Sequence, residues 1–153
     1  MTDPPAADRT MSGAATFSPA DALPEAAERG RTGALVCVVD DDEPVRGSSR
    51  ALLESLGFAV MTYACGQDML IDERRRQASC FIVDQHMPEM DGLTALGALH
   101  RDEPGALTIL TTGRLDAVIA ARAAALGGGA ILEKPFSAAR LLDVIRGRDE
   151  PHR

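Results

Sequence analysis

The chain has 153 residues and a formal net charge of −7 at pH 7, a length that suits one domain with a buried core. The acidic balance argues against nucleic acid as the main partner, because phosphate backbones are bound by clustered Lys and Arg. The one dense basic run, at 74–76, follows two acids and is interpreted as a solvated helix end rather than a binding patch.

Membrane and secretory functions are also disfavoured by the composition. No apolar run approaches the ~20 residues of a membrane span. The N-terminus has acids and prolines where a signal peptide would have a basic region and an apolar core. Three cysteines at wide spacing, without a metal-binding pattern, fit a reducing compartment. The sequence therefore predicts a cytoplasmic protein with no membrane contact.

The predicted elements begin after residues 1–33, which have few large apolar side chains and are predicted to be a disordered tail. Strands and helices then alternate along the chain. In order, they are strand 35–39, helix 45–56, strand 58–63, helix 67–76, strand 80–83, helix 93–101, strand 107–111, helix 116–126, strand 130–132 and helix 138–146. We therefore expect one domain over 34–147 and a short C-terminal tail at 148–153.

The strand pattern indicates the fold class. The apolar runs are continuous rather than alternating, which is typical of strands covered on both faces in a parallel sheet. Five strand–helix repeats predict a doubly wound α/β domain, a five-stranded parallel sheet with helices on both faces. Such sheets bind ligands at the carboxyl ends of their strands. The chain stops seven residues after Arg146, so we expect no second domain.

Acidic side chains follow two of the predicted strands. Asp40 and Asp41 come directly after the first, and Asp84 follows the third. Two carboxylates about 4 Å apart repel by roughly 4 kcal/mol at an effective dielectric near 20, so such a cluster should raise a carboxyl pKa or hold a cation. Oxygen ligands with room for water favour Mg²⁺ over Ca²⁺. A solvated acidic turn explains the next two acids, Asp42 and Glu43, but explains Asp40 and Asp41 poorly, because these two are joined directly to a buried strand.

The single lysine of the chain, Lys134, follows the fifth predicted strand, and all other cations are supplied by 15 arginines. A compact ammonium suits a phosphoryl oxygen in a tight site better than a planar guanidinium does. Thr112 follows the fourth strand and adds a hydroxyl. In a parallel sheet, these groups would meet the acids at one edge.

Four motifs in this order resemble the receiver domain of two-component response regulators: Val39-Asp40-Asp41-Asp42, Val83-Asp84 with Met87-Pro88 and Asp91-Gly92, Thr112-Gly113, and Glu133-Lys134-Pro135-Phe136. The resemblance covers 34–146 and implies a flavodoxin-like fold in a bacterial phosphorelay protein. Within the family, the start at Asp41-Asp42-Glu43-Pro44-Val45-Arg46 and the Glu-Lys-Pro-Phe ending look most like receivers that are normally joined to helix-turn-helix output domains.

The resemblance implies a role for each residue of the site. Asp84 would be the phosphoacceptor, taking its phosphoryl group from the phosphohistidine of a sensor histidine kinase. Asp40 and Asp41 would hold Mg²⁺ together with Asp84 and the backbone carbonyl of His86. Thr112 would hydrogen-bond a phosphoryl oxygen.

Lys134 would pair first with Asp84 and then with the phosphoryl group, and the Lys134-Pro135 peptide would be cis. Phosphorylation would change the surface formed by the fourth helix, fifth strand and fifth helix, where a downstream protein would bind. A homodimer that forms on phosphorylation is left open.

Two features depart from the family pattern. Ile131 stands where the family commonly has an aromatic residue that moves with the hydroxyl, so the output switch is either absent or works by backbone movement. The glycine run 127–129 is either a hinge for the fourth helix or a simple helix stop. His86 and Arg114 occupy the positions that tune hydrolysis of the acyl phosphate in the family. For His86, an exposed side chain that contributes only its carbonyl is slightly favoured.

We expect a single-domain response regulator that is not an enzyme but assists its own phosphorylation and dephosphorylation. The alternative is a phosphorelay intermediate or phosphate sink that passes phosphate onward. A phosphatase with an aspartyl nucleophile is disfavoured, since such sites usually need a second acid where this chain has His86. A degenerate receiver used only for binding is disfavoured by the intact acids, Thr112 and Lys134.

Overall fold

The computed structural model describes residues 33–127 and 129–147. Its strands are β1 Leu35–Val39, β2 Ala59–Tyr63, β3 Cys80–Asp84, β4 Leu107–Thr112 and β5 Ala130–Glu133. Its helices are α1 Glu43–Ser55, α2 Gly66–Ile71, α3 Gly92–Asp102, α4 Ala117–Ala125 and α5 Ala138–Ile145, with a 3₁₀ turn at Glu73–Gln77. Gly33 apart, the two predicted tails lie outside the described residues.

The five strands form one parallel sheet in the order β2-β1-β3-β4-β5, which confirms the predicted doubly wound α/β fold. β2 lies on one side of β1, whereas β3, β4 and β5 follow on the other side, so the strand order reverses between β1 and β3. Such a reversal opens a crevice at the carboxyl ends of the two strands. The residues that follow β1 and β3 therefore meet in this crevice.

The core lies on both faces of the sheet, because side chains alternate along each strand. On one face, Phe81, Val83 and Leu110 pack with buried residues of α2, α3 and α4. On the other, Val38 and Ile82 pack with α1 and α5. No helix within the described ranges is long and apolar enough to span a bilayer.

The predicted helix at 67–76 is wrong as a single element. α2 ends at Ile71, and the chain continues as a 3₁₀ turn after an extended residue, Asp72 (φ −88°, ψ 112°). The Asp72 carboxylate accepts the backbone N–H of Arg74 at 2.9 Å and its guanidinium at 2.8 Å. A side chain that accepts these bonds competes with the hydrogen-bond pattern of a continuing helix. Asp72 acts instead as the N-cap of the 3₁₀ turn, so α2 ends here and a new element begins.

The interpretation of the basic run as a solvated helix end is wrong for its central residue. The Arg75 side chain is 4% exposed and pairs with Asp102 at 3.1 Å and Glu103 at 3.0 Å. Only Arg74 and Arg76 remain in solvent. The 3₁₀ turn directs Arg75 under the end of α3, where two acids neutralise it and stabilise its burial.

We expect Arg75→Met to lower the free energy of unfolding by about 2 kcal/mol, because the substitution removes charge-assisted hydrogen bonds to both acids. Urea denaturation measures the change. Arg74→Met is the matched control from the exposed part of the same turn, and its midpoint should stay close to wild type. Equal midpoints for the two variants would contradict a structural role for Arg75.

His100 of α3 is half-buried and connects three elements. Its Nδ1 lies 2.6 Å from the carbonyl of Leu126 after α4, and its Nε2 lies 3.0 Å from Thr108 Oγ1 in β4. Gly127 and Gly129 have φ of +104° and +105°. The positive φ of Gly127 directly after α4 is typical of a glycine helix stop, and a hinge stays a prediction.

Candidate functional site

The three predicted acids form a cluster at the carboxyl edge of β1 and β3. One carboxylate oxygen from each of Asp40, Asp41 and Asp84 lies within 4.8 Å of the others. Asp40 and Asp84 are buried, at 4% and 6% exposed, whereas Asp41 is exposed. The structure thus brings together the residues that the sequence nominated for a metal site.

Lys134 reaches this cluster from the end of β5. Its Nζ lies 2.9 Å from Asp84 Oδ1 and 3.5 Å from Asp40 Oδ2. Its backbone N–H donates to the carbonyl of Thr112 at 2.8 Å, and its peptide bond to Pro135 is cis. The only lysine of the chain is therefore held beside the predicted phosphoacceptor.

The site carries more negative than positive charge. Burial, and secondarily the charge of Asp84, raise the pKa of Asp40 against the opposing effects of the Asp42 N–H and Lys134. Burial alone would lower the pKa of Lys134, but its contacts with Asp84 and Asp40 outweigh burial and raise it. One ammonium cannot neutralise three carboxylates, and an all-oxygen donor set with an exposed side suits a hard divalent cation.

We expect Asp40→Asn to raise the melting temperature in EDTA by about 4 °C, the shift that about 1 kcal/mol produces in a domain of this size. The variant removes a buried charge that repels Asp84 but keeps an oxygen for the Asp42 N–H. Because the folded-state pKa of Asp40 is raised, its ionisation destabilises the fold as pH rises through the unfolded-state pKa. The increase in melting temperature of Asp40→Asn over wild type should therefore be largest near neutral pH and vanish in acid.

Differential scanning calorimetry with and without Mg²⁺ measures both consequences of this change. The wild type should be stabilised by Mg²⁺ and Asp40→Asn should not. Asp68→Asn, an exposed carboxylate on α2, is the control and should behave like wild type. A lower melting temperature for Asp40→Asn in EDTA would contradict the repulsion between the acids.

The hydroxyl of Thr112 is buried and lies beside the cluster without contacting Asp84. Its Oγ1 donates to the Arg114 carbonyl at 3.1 Å and accepts the Arg114 N–H at 3.2 Å. His86 Nε2 lies 3.4 Å away. The hydroxyl is thus bound to the loop between β4 and α4.

Thr111, which was not nominated from the sequence, makes the direct contact. Its Oγ1 lies 3.5 Å from Asp84 Oδ1, and the β3–β4 register pairs these two residues. Neighbouring residues of a strand face opposite sides of the sheet, so Thr111 and Thr112 reach the acid edge from different faces. Two consecutive threonines at a strand end were the only available signal, and it did not say which one faces Asp84.

Gln85, directly after Asp84, is a second residue that the sequence did not nominate. Its buried side chain accepts the Leu93 N–H at 2.9 Å and donates to Asp91 at 3.2 Å. Asp91 also caps α3 through Thr94 and pairs with Arg122 of α4 at 3.3 Å. Burial would raise the pKa of Asp91, but the hydrogen bonds from Thr94 and the charge and hydrogen bond of Arg122 lower it overall.

The same loop is closed tightly against β3. The Gly92 N–H donates to the Gln85 carbonyl, and a Cβ on Gly92 would lie 2.5 Å from the Asp84 carbonyl oxygen. Only glycine fits this approach, which explains the Asp91-Gly92 motif. The His86 side chain within the loop is exposed, as the sequence favoured. Metal binding by its carbonyl stays a prediction.

Within the described part of the chain, cavities lie on two sides of the β5 end. One, of about 300 Å³, lies beside the acids and is lined by Asp40, Lys134 and Phe136 with apolar residues of β1, β3 and α1. The other, of about 370 Å³, lies over β5 between the starts of α4 and α5 and includes Ile131 in its lining. Ile131 itself is buried at 6% exposure and has no ring to move.

Comparisons with known proteins agree with this architecture. The model of the response regulator receiver domain family matches residues 36–146. The chain is 35% identical over 111 residues to the transcriptional regulatory protein FixJ of Azorhizobium caulinodans, covering 72% of this chain and 53% of FixJ. It is 33% identical over 118 residues to the C4-dicarboxylate transport transcriptional regulatory protein DctD of Rhizobium meliloti, covering 77% of this chain and 26% of DctD.

Solved structures show the same fold. A signal receiver domain from Pseudomonas fluorescens is 28% identical with a TM-score of 0.70, over 75% of this chain and 93% of that one. A CheY-like receiver domain protein from Methanospirillum hungatei is 25% identical with a TM-score of 0.71, over 75% and 92%. The chain spans about half the length of FixJ, whereas it covers nearly all of these single receiver domains. The chain therefore belongs to the response regulator receiver domain family.

Proposed function

We propose that this protein accepts a phosphoryl group on Asp84 from the phosphohistidine of a sensor histidine kinase, in a reaction that depends on Mg²⁺. The observation that carries the proposal is the position of Lys134 Nζ, 2.9 Å from Asp84 Oδ1 within the acid cluster. A carboxylate nucleophile next to an ammonium and a divalent-cation site is the equipment that phosphoryl transfer to an acid requires.

In the transfer, one carboxylate oxygen of Asp84 forms a bond to phosphorus while the bond from phosphorus to the kinase imidazole breaks. Asp40, Asp41, Asp84 and the carbonyl of His86 would hold Mg²⁺, which supplies positive charge to the oxygens of the transferring group. Lys134 gives up part of its contact with Asp84 and pairs with a phosphoryl oxygen. The ammonium of Lys134 would thus pair with the free carboxylate before the transfer and with the phosphoryl group after it.

Phosphorylation adds a charge of about −1.5 to −2 and new acceptor oxygens. The Thr112 hydroxyl can then exchange its bonds with the Arg114 backbone for one to the phosphoryl group, which moves the β4–α4 loop. Because Ile131 has no ring, we propose that this backbone movement carries the signal to α4, β5 and α5. A downstream protein would recognise that surface.

Phosphotransfer profiling tests the proposal. Each histidine kinase of the source organism is autophosphorylated and mixed with the chain for short times. One kinase should label wild type within seconds to minutes and should fail to label Asp84→Asn. Failure of every kinase to label the wild type, or equal labelling of the variant, would contradict the proposal.

The same experiment distinguishes signalling from relay. In a relay or sink, the label passes on to a histidine phosphotransfer protein; in a single-domain signalling regulator, it stays on the chain until hydrolysis. A phosphatase would release phosphate catalytically from small donors, and His86 in place of a second acid argues against it. We favour signalling by protein contacts in the cytoplasm, where the three free cysteines are compatible with reducing conditions.

A further inference from the structure

Arg46 of α1 binds back to the turn that carries the first two acids. Its Nη1 donates to the backbone carbonyl of Asp40 at 2.8 Å, across six residues. Its own N–H donates to the carbonyl of Asp42 at 2.9 Å as α1 begins. One residue therefore holds the turn at two carbonyls, directly beside the cation site.

The three acids of the cluster differ in what holds their side chains. Asp40 Oδ1 accepts the Asp42 N–H at 2.9 Å, and Asp84 Oδ1 is bound by Lys134 at 2.9 Å. Within residues 33–127 and 129–147, no hydrogen bond or ion pair fixes the exposed Asp41 carboxylate. The backbone of the turn therefore fixes where this side chain is attached, and no side-chain contact within the described residues restrains it further.

The peptide that joins Asp40 to Asp41 is the group that Arg46 contacts. A hydrogen bond to the carbonyl of that peptide limits its rotation, and this rotation would carry the Asp41 side chain away from Asp40 and Asp84. Arg is suited to this task, since its guanidinium is always charged and rigid at its end. Preorganised ligands bind a metal more tightly because less conformational freedom is lost on binding.

We propose that Arg46 is a positioning residue that fixes the Asp40–Asp41 peptide and thereby preorganises the Asp41 carboxylate for Mg²⁺. The inference rests on the proposed function, which supplies the metal. When Arg46 is replaced, this positioning role and simple electrostatics predict opposite changes in the affinity for Mg²⁺. Loss of a nearby positive charge should tighten binding of a cation, whereas loss of the positioning contact should weaken it.

Isothermal titration of the full chain with MgCl₂ at about 0.15 M salt, where exposed distant charges are screened, measures the effect. Arg46→Met keeps the aliphatic stem and removes both charge and donor; we expect its Kd to rise roughly three- to tenfold, in keeping with the loss of one hydrogen bond. Arg46→Lys retains charge and a donor and should bind Mg²⁺ more tightly than Arg46→Met.

Arg50→Met is the matched control. Arg50 lies one turn further along α1 and, among the residues that the structure describes, pairs only with Glu54, at 3.1 Å on the exposed face, so the variant removes the same charge without touching the turn. Its Kd should equal that of wild type or fall slightly. Thermal unfolding in EDTA shows that each variant is folded.

Arg46→Met that binds Mg²⁺ as tightly as Arg50→Met, or more tightly, would overturn the inference and leave the phosphoacceptor proposal intact. Arg46→Lys that binds no better than Arg46→Met would also overturn it. A wild type without measurable Mg²⁺ binding would overturn both the inference and the metal requirement of the proposed function.

Discussion

Asp84→Asn is expected to abolish phosphorylation by a small phosphodonor in the presence of Mg²⁺. The amide has nearly the shape of the carboxylate and can still contact Lys134 and Thr111, but it is not a competent nucleophile for phosphorus. It also removes one of the three carboxylates that would hold the metal. Intact mass spectrometry after incubation with acetyl phosphate should show one added phosphoryl group on wild type and none on the variant.

Asp68→Asn is the control for this experiment, because it removes an exposed carboxylate on α2. It should be labelled at the wild-type rate. Wild type without Mg²⁺ should be labelled far more slowly. Equal labelling of Asp84→Asn and wild type would place the phosphoryl group elsewhere and remove the basis of the proposed function.

Lys134→Arg is expected to slow phosphorylation by roughly tenfold or more although the positive charge is kept. The ammonium reaches Asp84 and Asp40 from one point, at 2.9 and 3.5 Å. A planar guanidinium is longer and bulkier, and it cannot occupy that point without displacing the acids or facing away from the phosphoryl group. Stopped-flow or quench-flow labelling with the same donor measures the rate.

Lys134→Met separates charge from geometry in the same assay. It removes the charge and should slow labelling more than Lys134→Arg, by roughly 100-fold, the loss typical of one electrostatic donor in an active site. Thermal unfolding shows whether either variant is folded. Wild-type rates for Lys134→Arg would mean that the single lysine is a coincidence and that the acids alone form the site.

The order and type of the elements could be predicted because continuous apolar runs and helix signals are local properties. All five strands were located to within two residues of their observed ends. The break at Asp72 could not be predicted in the same way, because helix periodicity continues through it and the side chain makes the decisive hydrogen bond. The neighbouring charges likewise indicated an exposed side chain at Arg75. That side chain is buried, and it pairs with Asp102 and Glu103, which lie 27 and 28 residues further along the chain.

The site was predictable to the extent that strand ends define it. Asp40, Asp84 and Lys134 meet because parallel strands share one carboxyl edge, which follows from the fold class alone. Thr111 and Gln85 were missed because their roles depend on which face of the strand each side chain occupies and on how the next loop closes. Those properties arise from register and loop packing, which the sequence does not display.

The sequence places Ile131 where the family commonly has an aromatic residue that moves, but the contacts made by the neighbouring loops could not be foreseen. The structure shows two sets of contacts between the strand ends and the chain around α4. One joins Thr112 to the Arg114 backbone, and the other joins Asp91 to Arg122.

Chemical mapping of the phosphorylated residue tests the central claim most directly. The chain is phosphorylated with acetyl phosphate and Mg²⁺, reduced with borohydride, which converts an aspartyl phosphate to homoserine, and then digested and sequenced by tandem mass spectrometry. We predict homoserine at position 84 and an unmodified aspartate at positions 40 and 41. Homoserine at another aspartate, or phosphate on a residue that borohydride does not reduce, would contradict the assignment of Asp84 as the phosphoacceptor.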